Sequence, residues 1–217
     1  MEVVRLPDAE ACARRAAQLI TEAVDEGARH LALSGGSSPE RTYQLLGPKV
    51  PDWSLVDLWY SDERCVRPDH EDSNHRMASA ALQAPGAVWH RMEGELGPDD
   101  GARNYARELA GIVMDVALQG MGPDGHTASL FPDHPLLDAT GICAGVRDSP
   151  KPPPERITMT LEYLNRSGRI LLLVTGEGKA DALARVLAGP DREVPSSLLD
   201  RDRLTVIADD AALGSSS

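Results

Sequence analysis

Short apolar runs that break directly into glycine-rich turns, each followed by a helical pattern, constrain this chain more than any other feature. His30–Leu33 breaks into Ser34-Gly35-Gly36-Ser37-Ser38, with Pro39 where the first helical residue is expected. Asp115–Gln119 runs into Gly120-Met121-Gly122-Pro123-Asp124-Gly125-His126. Ile170–Val174 ends in Thr175-Gly176-Glu177-Gly178-Lys179, which opens a helix to about Leu187. Runs this short read as strands, not helices. Leu55–Tyr60 reads as another strand, ending in Ser61-Asp62-Glu63-Arg64, with Ile142–Val146 and Leu204–Ala208 as further candidates. Between them lie helical patterns. One is capped by Asp8, carries Cys12, Ala16, Leu19, Ile20, Ala23 and Val24 on one stripe, and stops at Gly27. A second is capped by Ser73 and runs to about Leu82, and a third spans Pro98–Val113. Strands alternating with helices predict an α/β fold, with a mostly parallel sheet and helices on both faces.

The 217 residues show no repeat and no linker that separates two folding units. Pro150-Lys151-Pro152-Pro153-Pro154 reads as a rigid connection within one domain, expected over 1–213 with a disordered tail at 214–217. At 41% hydrophobic the chain can fill a core, although only 4% of it is aromatic. No apolar run reaches the roughly 18 residues that a membrane span needs. The first residues lack the basic-then-apolar order of a secretory signal. Cys12, Cys65 and Cys143 are spaced for neither a disulfide framework nor a metal knuckle. A soluble cytoplasmic protein is expected. The net charge of -12, with no cluster of Lys or Arg, argues against a nucleic-acid partner. An anionic ligand would then need a locally positive pocket, since screening acts over about 8 Å in physiological salt.

In a parallel sheet all strand-to-helix turns emerge at one edge, where ligands of open α/β folds bind. The turns at 34–38, 120–126 and 175–179, and the cluster 61–64, are therefore expected to gather. Ser34-Gly35-Gly36-Ser37 before a helix start suits an anion, because glycine lets the unpaired amides approach it; the plain alternative is a turn with Ser38 as helix cap. Gly120–Gly125 satisfies GxGxxG, but only Thr127–Phe131 separates the turn from Pro132, too little for a dinucleotide-binding helix even with Asp148 downstream. The turn does place a carboxylate, Asp124, two residues before an imidazole, His126, the natural general base near neutral pH. Gly176–Lys179 is no P-loop, because Ala180 follows the lysine where a hydroxyl is required. Lys179 remains a charge suited to a phosphate. Asp62, Glu63 and Arg64 read either as a surface salt-bridge cluster or as site residues, with Arg64 suited to hold an anion. A metal held by Asp62, Glu63 and His126 is a further option that no spacing imposes.

Taken together, these motifs resemble the 6-phosphogluconolactonase family. The residues that carry the likeness are Ser34-Gly35-Gly36-Ser37, Asp62-Glu63-Arg64 with Asp72-Ser73-Asn74, Gly120 through Pro132, Pro154-Glu155-Arg156-Ile157-Thr158, and Val174 through Ala180. The resemblance implies a Rossmann-like three-layer α/β fold, shared with glucosamine-6-phosphate deaminases. It also implies hydrolysis of 6-phospho-D-glucono-1,5-lactone in the pentose phosphate pathway, without cofactor or metal, by a monomer or weak homodimer. His126 is then the base, supported by Asp124. Ser34, Gly35, Gly36, Ser37 and Lys179 take the phosphate, and Asp62, Arg64 and Arg156 are further substrate contacts. Two residues depart from the family pattern, Ser61 where glycine is usual and His75 where tyrosine is common. The deaminases carry a glutamate soon after the DGH turn, whereas Ser129-Leu130-Phe131-Pro132 stands here. A non-catalytic sugar-phosphate sensor is the remaining alternative; it would need no base.

Overall fold

The computed structural model describes residues 1–214; of the expected tail, Ser215–Ser217 lie outside the described residues. Its centre is a seven-stranded sheet of β1 (Glu2–Leu6), β2 (His30–Leu33), β3 (Asp57–Tyr60), β5 (Val88–Trp89), β6 (Val116–Gly120), β9 (Arg169–Val174) and β10 (Leu204–Asp209). They lie in the order β1-β10-β9-β6-β2-β3-β5, and every neighbouring pair is parallel. β6 and β9 are buried along almost their whole length, as near-continuous apolar strands covered on both faces must be.

The helices are α1 (Ala9–Asp25), α2 (Ser37–Leu46), α3 (Asn74–Ala81), α4 (Pro98–Glu108), α5 (Leu161–Leu164) and α6 (Ala180–Ala188). Right-handed crossovers running toward β5 put α1, α2 and α3 on one face, and those running toward β1 put α4, α5 and α6 on the other. α1 is capped by Asp8, whose carboxylate accepts the Ala11 amide at 2.8 Å, and buries Cys12, Ala16, Ile20, Ala23 and Val24. Strand direction reverses its walk across the sheet between β2 and β6. The turns after these two strands, 34–38 and 120–126, therefore flank the topological switch point.

Several boundaries differ from the sequence expectation. α2 starts two residues before Pro39, with Gly36 at its N-cap, so Ser38 is not the cap. α4 stops at Glu108, not Val113; Gly111 beyond it takes φ 84° and turns the chain away. The start of the run at Leu55 belongs to a 3-10 turn, Trp53–Leu55.

The larger correction concerns 61–64. Asp62–Arg64 is not a strand-to-helix turn but a strand, β4, in a second sheet with β8 (Arg156–Met159) and β7 (Cys143–Val146), ordered β4-β8-β7 and antiparallel. Its partner lies far downstream, which no local pattern reveals. Strand alternation then sorts the triplet: Asp62 and Arg64 share one face, and Glu63 points to the other. Glu63 is buried against the start of α3. It accepts the Arg64, Asn74 and His75 amides at 2.7–2.8 Å and the Ser73 hydroxyl at 3.0 Å. Burial pushes its carboxyl above the usual range, and those bonds work against the rise. Removing this acceptor strands several buried donors, so Glu63→Ala is expected to cost about 3 kcal/mol in urea unfolding. A loss under about 1 kcal/mol would refute this account of the α3 start.

Candidate active site

The first wall of the site follows β2. Ser34 is fixed by Tyr43 of α2, whose hydroxyl accepts the Ser34 amide and donates to the Ser34 carbonyl, both at 2.8 Å. The chain then passes so close to Asn74 that a Cβ on Gly35 would overlap its carboxamide. The amides of Gly35, Gly36, Ser37 and Ser38 meet no acceptor among the described residues. Free amides at a helix start form an anion cradle. Ser38 Oγ lies 2.7 Å from Thr175 Oγ1, tying this turn to the one after β9. That second turn is held from below by Asp209, which accepts the Gly176 amide at 3.0 Å. Lys179 closes it. Burial pushes the Lys179 ammonium below its usual value, Asp209 opposes the shift and Lys151 adds to it.

The turn after β6 carries the imidazole. Thr127 donates to the Gly120 carbonyl at 2.9 Å, and buried Gln119 donates to Ser61 Oγ at 2.6 Å. The serine found in place of the family glycine thus has a buried partner, away from the cavity wall. Gly122 lies under the His126 ring; a Cβ there would overlap both that ring and the Asp124 carboxylate. His126 Nδ1 lies against Asp124 Oδ1, and two lone pairs cannot meet at such a contact, so Nδ1 carries the proton. Nε2, across the ring, meets no protein partner among the described residues. Burial raises the Asp124 carboxyl, but the bond and charge of His126, with those of Lys151, more than offset it and hold it well below the usual range.

The second sheet supplies the roof. Asp62 is buried, with Oδ1 accepting from Asn74 at 3.1 Å and Oδ2 from Ser129 at 2.7 Å. Arg64 and Arg156 are cross-strand partners on the same face. Like charges directly opposite are unfavourable unless an anion lies between or near them. Arg64 Nη1 donates to the Asp72 carbonyl at 2.6 Å, while its buried Nε has no partner. Ser34 Oγ is buried and unpartnered as well. Orphaned polar atoms on residues that line one cavity are the mark of a site built for a ligand. Arg156 is more committed: Nε and Nη2 donate to the carbonyls of Lys151, Pro152 and Pro153 at 3.0–3.2 Å. Burial pushes its guanidinium down; Asp62 opposes this and Arg64 adds to it.

All these walls enclose one cavity of about 240 Å³. Ser34, Gly35, Gly36, Ser37, Asp62, Arg64, His126, Arg156 and Lys179 line it, and Asp124 stands behind the imidazole. The volume falls below the roughly 300–1,000 Å³ of drug-sized ligand sites, so the cavity suits a small polar molecule. Glu63 faces away, so the trio Asp62, Glu63 and His126 does not converge. Among the described residues no group of His, Cys, Asp and Glu is placed to hold a metal ion. His75 is not on the wall; it bonds the Tyr60 hydroxyl at 2.9 Å. Sequence reasoning missed Asn74 and Ala128 as lining residues. Both stood inside stretches that carry the family likeness, Asp72-Ser73-Asn74 and Gly120 through Pro132, but neither was given a contact.

Fold and cavity together define an open α/β protein whose small cleft, lined by a glycine-rich helix start and by Arg64, Arg156 and Lys179, lies at the carboxyl edge of a parallel sheet. The sequence matches the glucosamine-6-phosphate isomerases/6-phosphogluconolactonase family over residues 7–207, and the chain belongs to that family. It is 39% identical to a 6-phosphogluconolactonase from Mycobacterium leprae over 86% of this chain and 85% of that protein. It is 37% identical to a probable chloroplastic 6-phosphogluconolactonase 4 from Oryza sativa subsp. indica over 82% of this chain, and the match spans 61% of the rice protein. A solved 6-phosphogluconolactonase from Shewanella baltica OS155 superposes with a TM-score of 0.85 at 28% identity, covering 96% of this chain and 97% of that one. Among the described residues no helix is long and apolar enough to cross a membrane.

Proposed function

We propose that this chain hydrolyses 6-phospho-D-glucono-1,5-lactone to 6-phospho-D-gluconate, with His126 as general base. The observation that carries the reading is one small cavity whose wall joins an amide-rich helix start and a lysine to an imidazole already oriented by a carboxylate. The 6-phosphate takes the free amides of Gly35 to Ser38 together with Lys179. Asp62 accepts from a sugar hydroxyl. Nε2 of His126 removes a proton from water as the oxygen attacks C1. The carbonyl oxygen gains charge, and Arg64, with its unpartnered Nε, and Arg156 supply donors for it. The C1 to ring-oxygen bond then breaks, and the imidazolium returns its proton to the departing oxygen. No covalent nucleophile is required. The names of the relatives agree with this reading.

A deaminase would need a carboxylate after the His126 turn to assist ring opening. Ser129 holds that stretch, and its hydroxyl is committed to Asp62. The test is turnover of the phosphorylated lactone, corrected for its spontaneous opening, beside ammonia release from glucosamine 6-phosphate. Acceleration of the first with none of the second is expected; the reverse would overturn the reading.

Lys179 should act on binding more than on chemistry. Lys179→Ala is expected to raise KM about tenfold with kcat changed less than about threefold. A KM at the wild-type value would remove Lys179 from the phosphate site.

A further inference from the structure

Lys151 stands against the back of the Asp124–His126 pair. Its Nζ lies 3.2 Å from Asp124 Oδ1 and 3.1 Å from His126 Nδ1. An ammonium has no lone pair and Nδ1 already donates to Asp124, so the bond Lys151 makes is to the carboxylate. Among the described residues, Lys151 is the only side chain outside the 122–126 turn that bonds Asp124. It is absent from the cavity wall and approaches the ring from the Nδ1 side, away from the free Nε2.

The backbone that delivers it is braced from two directions. Ser149 Oγ donates to the Lys151 carbonyl at 2.8 Å and accepts the Lys151 amide at 3.2 Å. Arg156 grips the carbonyls of Lys151, Pro152 and Pro153 from β8. Ser149 is tied to the far end of the loop through its amide and the Pro154 carbonyl, at 3.0 Å. A loop with four prolines and these anchors leaves the lysine backbone little freedom. The Lys151 side chain is 40% exposed and that of Asp124 34%, so solvent screens the pair and its worth to stability is small. Its effect is on geometry.

We infer that Lys151 is a positioning residue: it pins Asp124 from outside the turn, so that Asp124 keeps His126 in the Nδ1-protonated form with Nε2 free. The kinetic consequence rests on the lactonase reading; the tautomer does not. Lys151→Met is expected to lower kcat about tenfold with KM within about twofold of wild type, as loss of an orienting group does. Lys151→Arg should recover most of that loss. In an Asp124→Asn background, Lys151→Met should change kcat less than about twofold, because the group it acts through is already gone. A rise in KM at constant kcat would make Lys151 a substrate contact instead. An additive loss in the double variant, or no loss in the single one, would also overturn the inference. Nitrogen-15 NMR of the histidine rings without substrate gives a readout independent of turnover. The His126 ring should be a single Nδ1–H tautomer in the wild type and a mixture in Lys151→Met. An unchanged tautomer in the variant would sink the role of Lys151 even if the chain hydrolysed no lactone, whereas a changed tautomer without lactonase activity would fault only the proposed reaction.

Discussion

His126→Ala is expected to lower kcat at least about 100-fold while leaving KM within about threefold. The asymmetry follows from where the ring stands. The proposed binding contacts are the amides of Gly35 to Ser38, Lys179, Asp62 and the two arginines, and none of them bonds His126. The imidazole contributes to the step in which water loses its proton, an interaction gained only as the barrier is climbed. Its removal leaves a cavity at a half-buried position beside Phe131, so the fold should persist. Circular dichroism and the unfolding midpoint check that. Loss of less than about tenfold in kcat would assign the proton transfer to another group.

The second large effect comes from a residue with no side chain. Gly122→Ala should reduce kcat about 100-fold, since misplacement of a catalytic group by about 1 Å has that cost. The new methyl would occupy the space of the His126 ring and the Asp124 carboxylate together. Neither can yield without breaking the contact between them, because Asp124 is also bound to Lys151. At Gly120, by contrast, a Cβ would meet nothing nearer than 3.7 Å. The check is kinetic, with the KM for the phosphorylated lactone measured alongside: a near-normal kcat would mean that the ring has room to move and that its orientation matters little.

Much of the architecture was legible because parallel strands buried on both faces are written as uninterrupted apolar runs. His30–Leu33, Asp115–Gln119 and Ile170–Val174 announce themselves in this way, and the glycine turns after them mark the ligand edge. The helix at Ser73 was legible from its cap alone. What stayed hidden is short, charged or paired across long stretches of chain. β1 is an edge strand with Val3 exposed, so it lacks an apolar signature. β4 is Asp62–Arg64, whose strand character comes entirely from pairing with Arg156–Met159. That pairing turns Arg64 and Arg156 toward one cavity and Glu63 toward α3, a division the triplet alone does not disclose. Lys151 was invisible for a similar reason. A lysine among prolines reads as a solvated spacer until the Arg156 clamp and the Asp124 contact are both in view.

A phosphate cradle and an oriented imidazole are proposed to act on the two ends of one small molecule. The most direct measurement is a crystal structure of the chain with the product, 6-phospho-D-gluconate. The phosphate is expected on the amides of Gly36 and Ser37 beside Lys179, and the C1 carboxylate within about 4 Å of His126 Nε2, near enough for one intervening hydrogen-bonded proton transfer. A product bound the other way round, or with C1 remote from the ring, would contradict it.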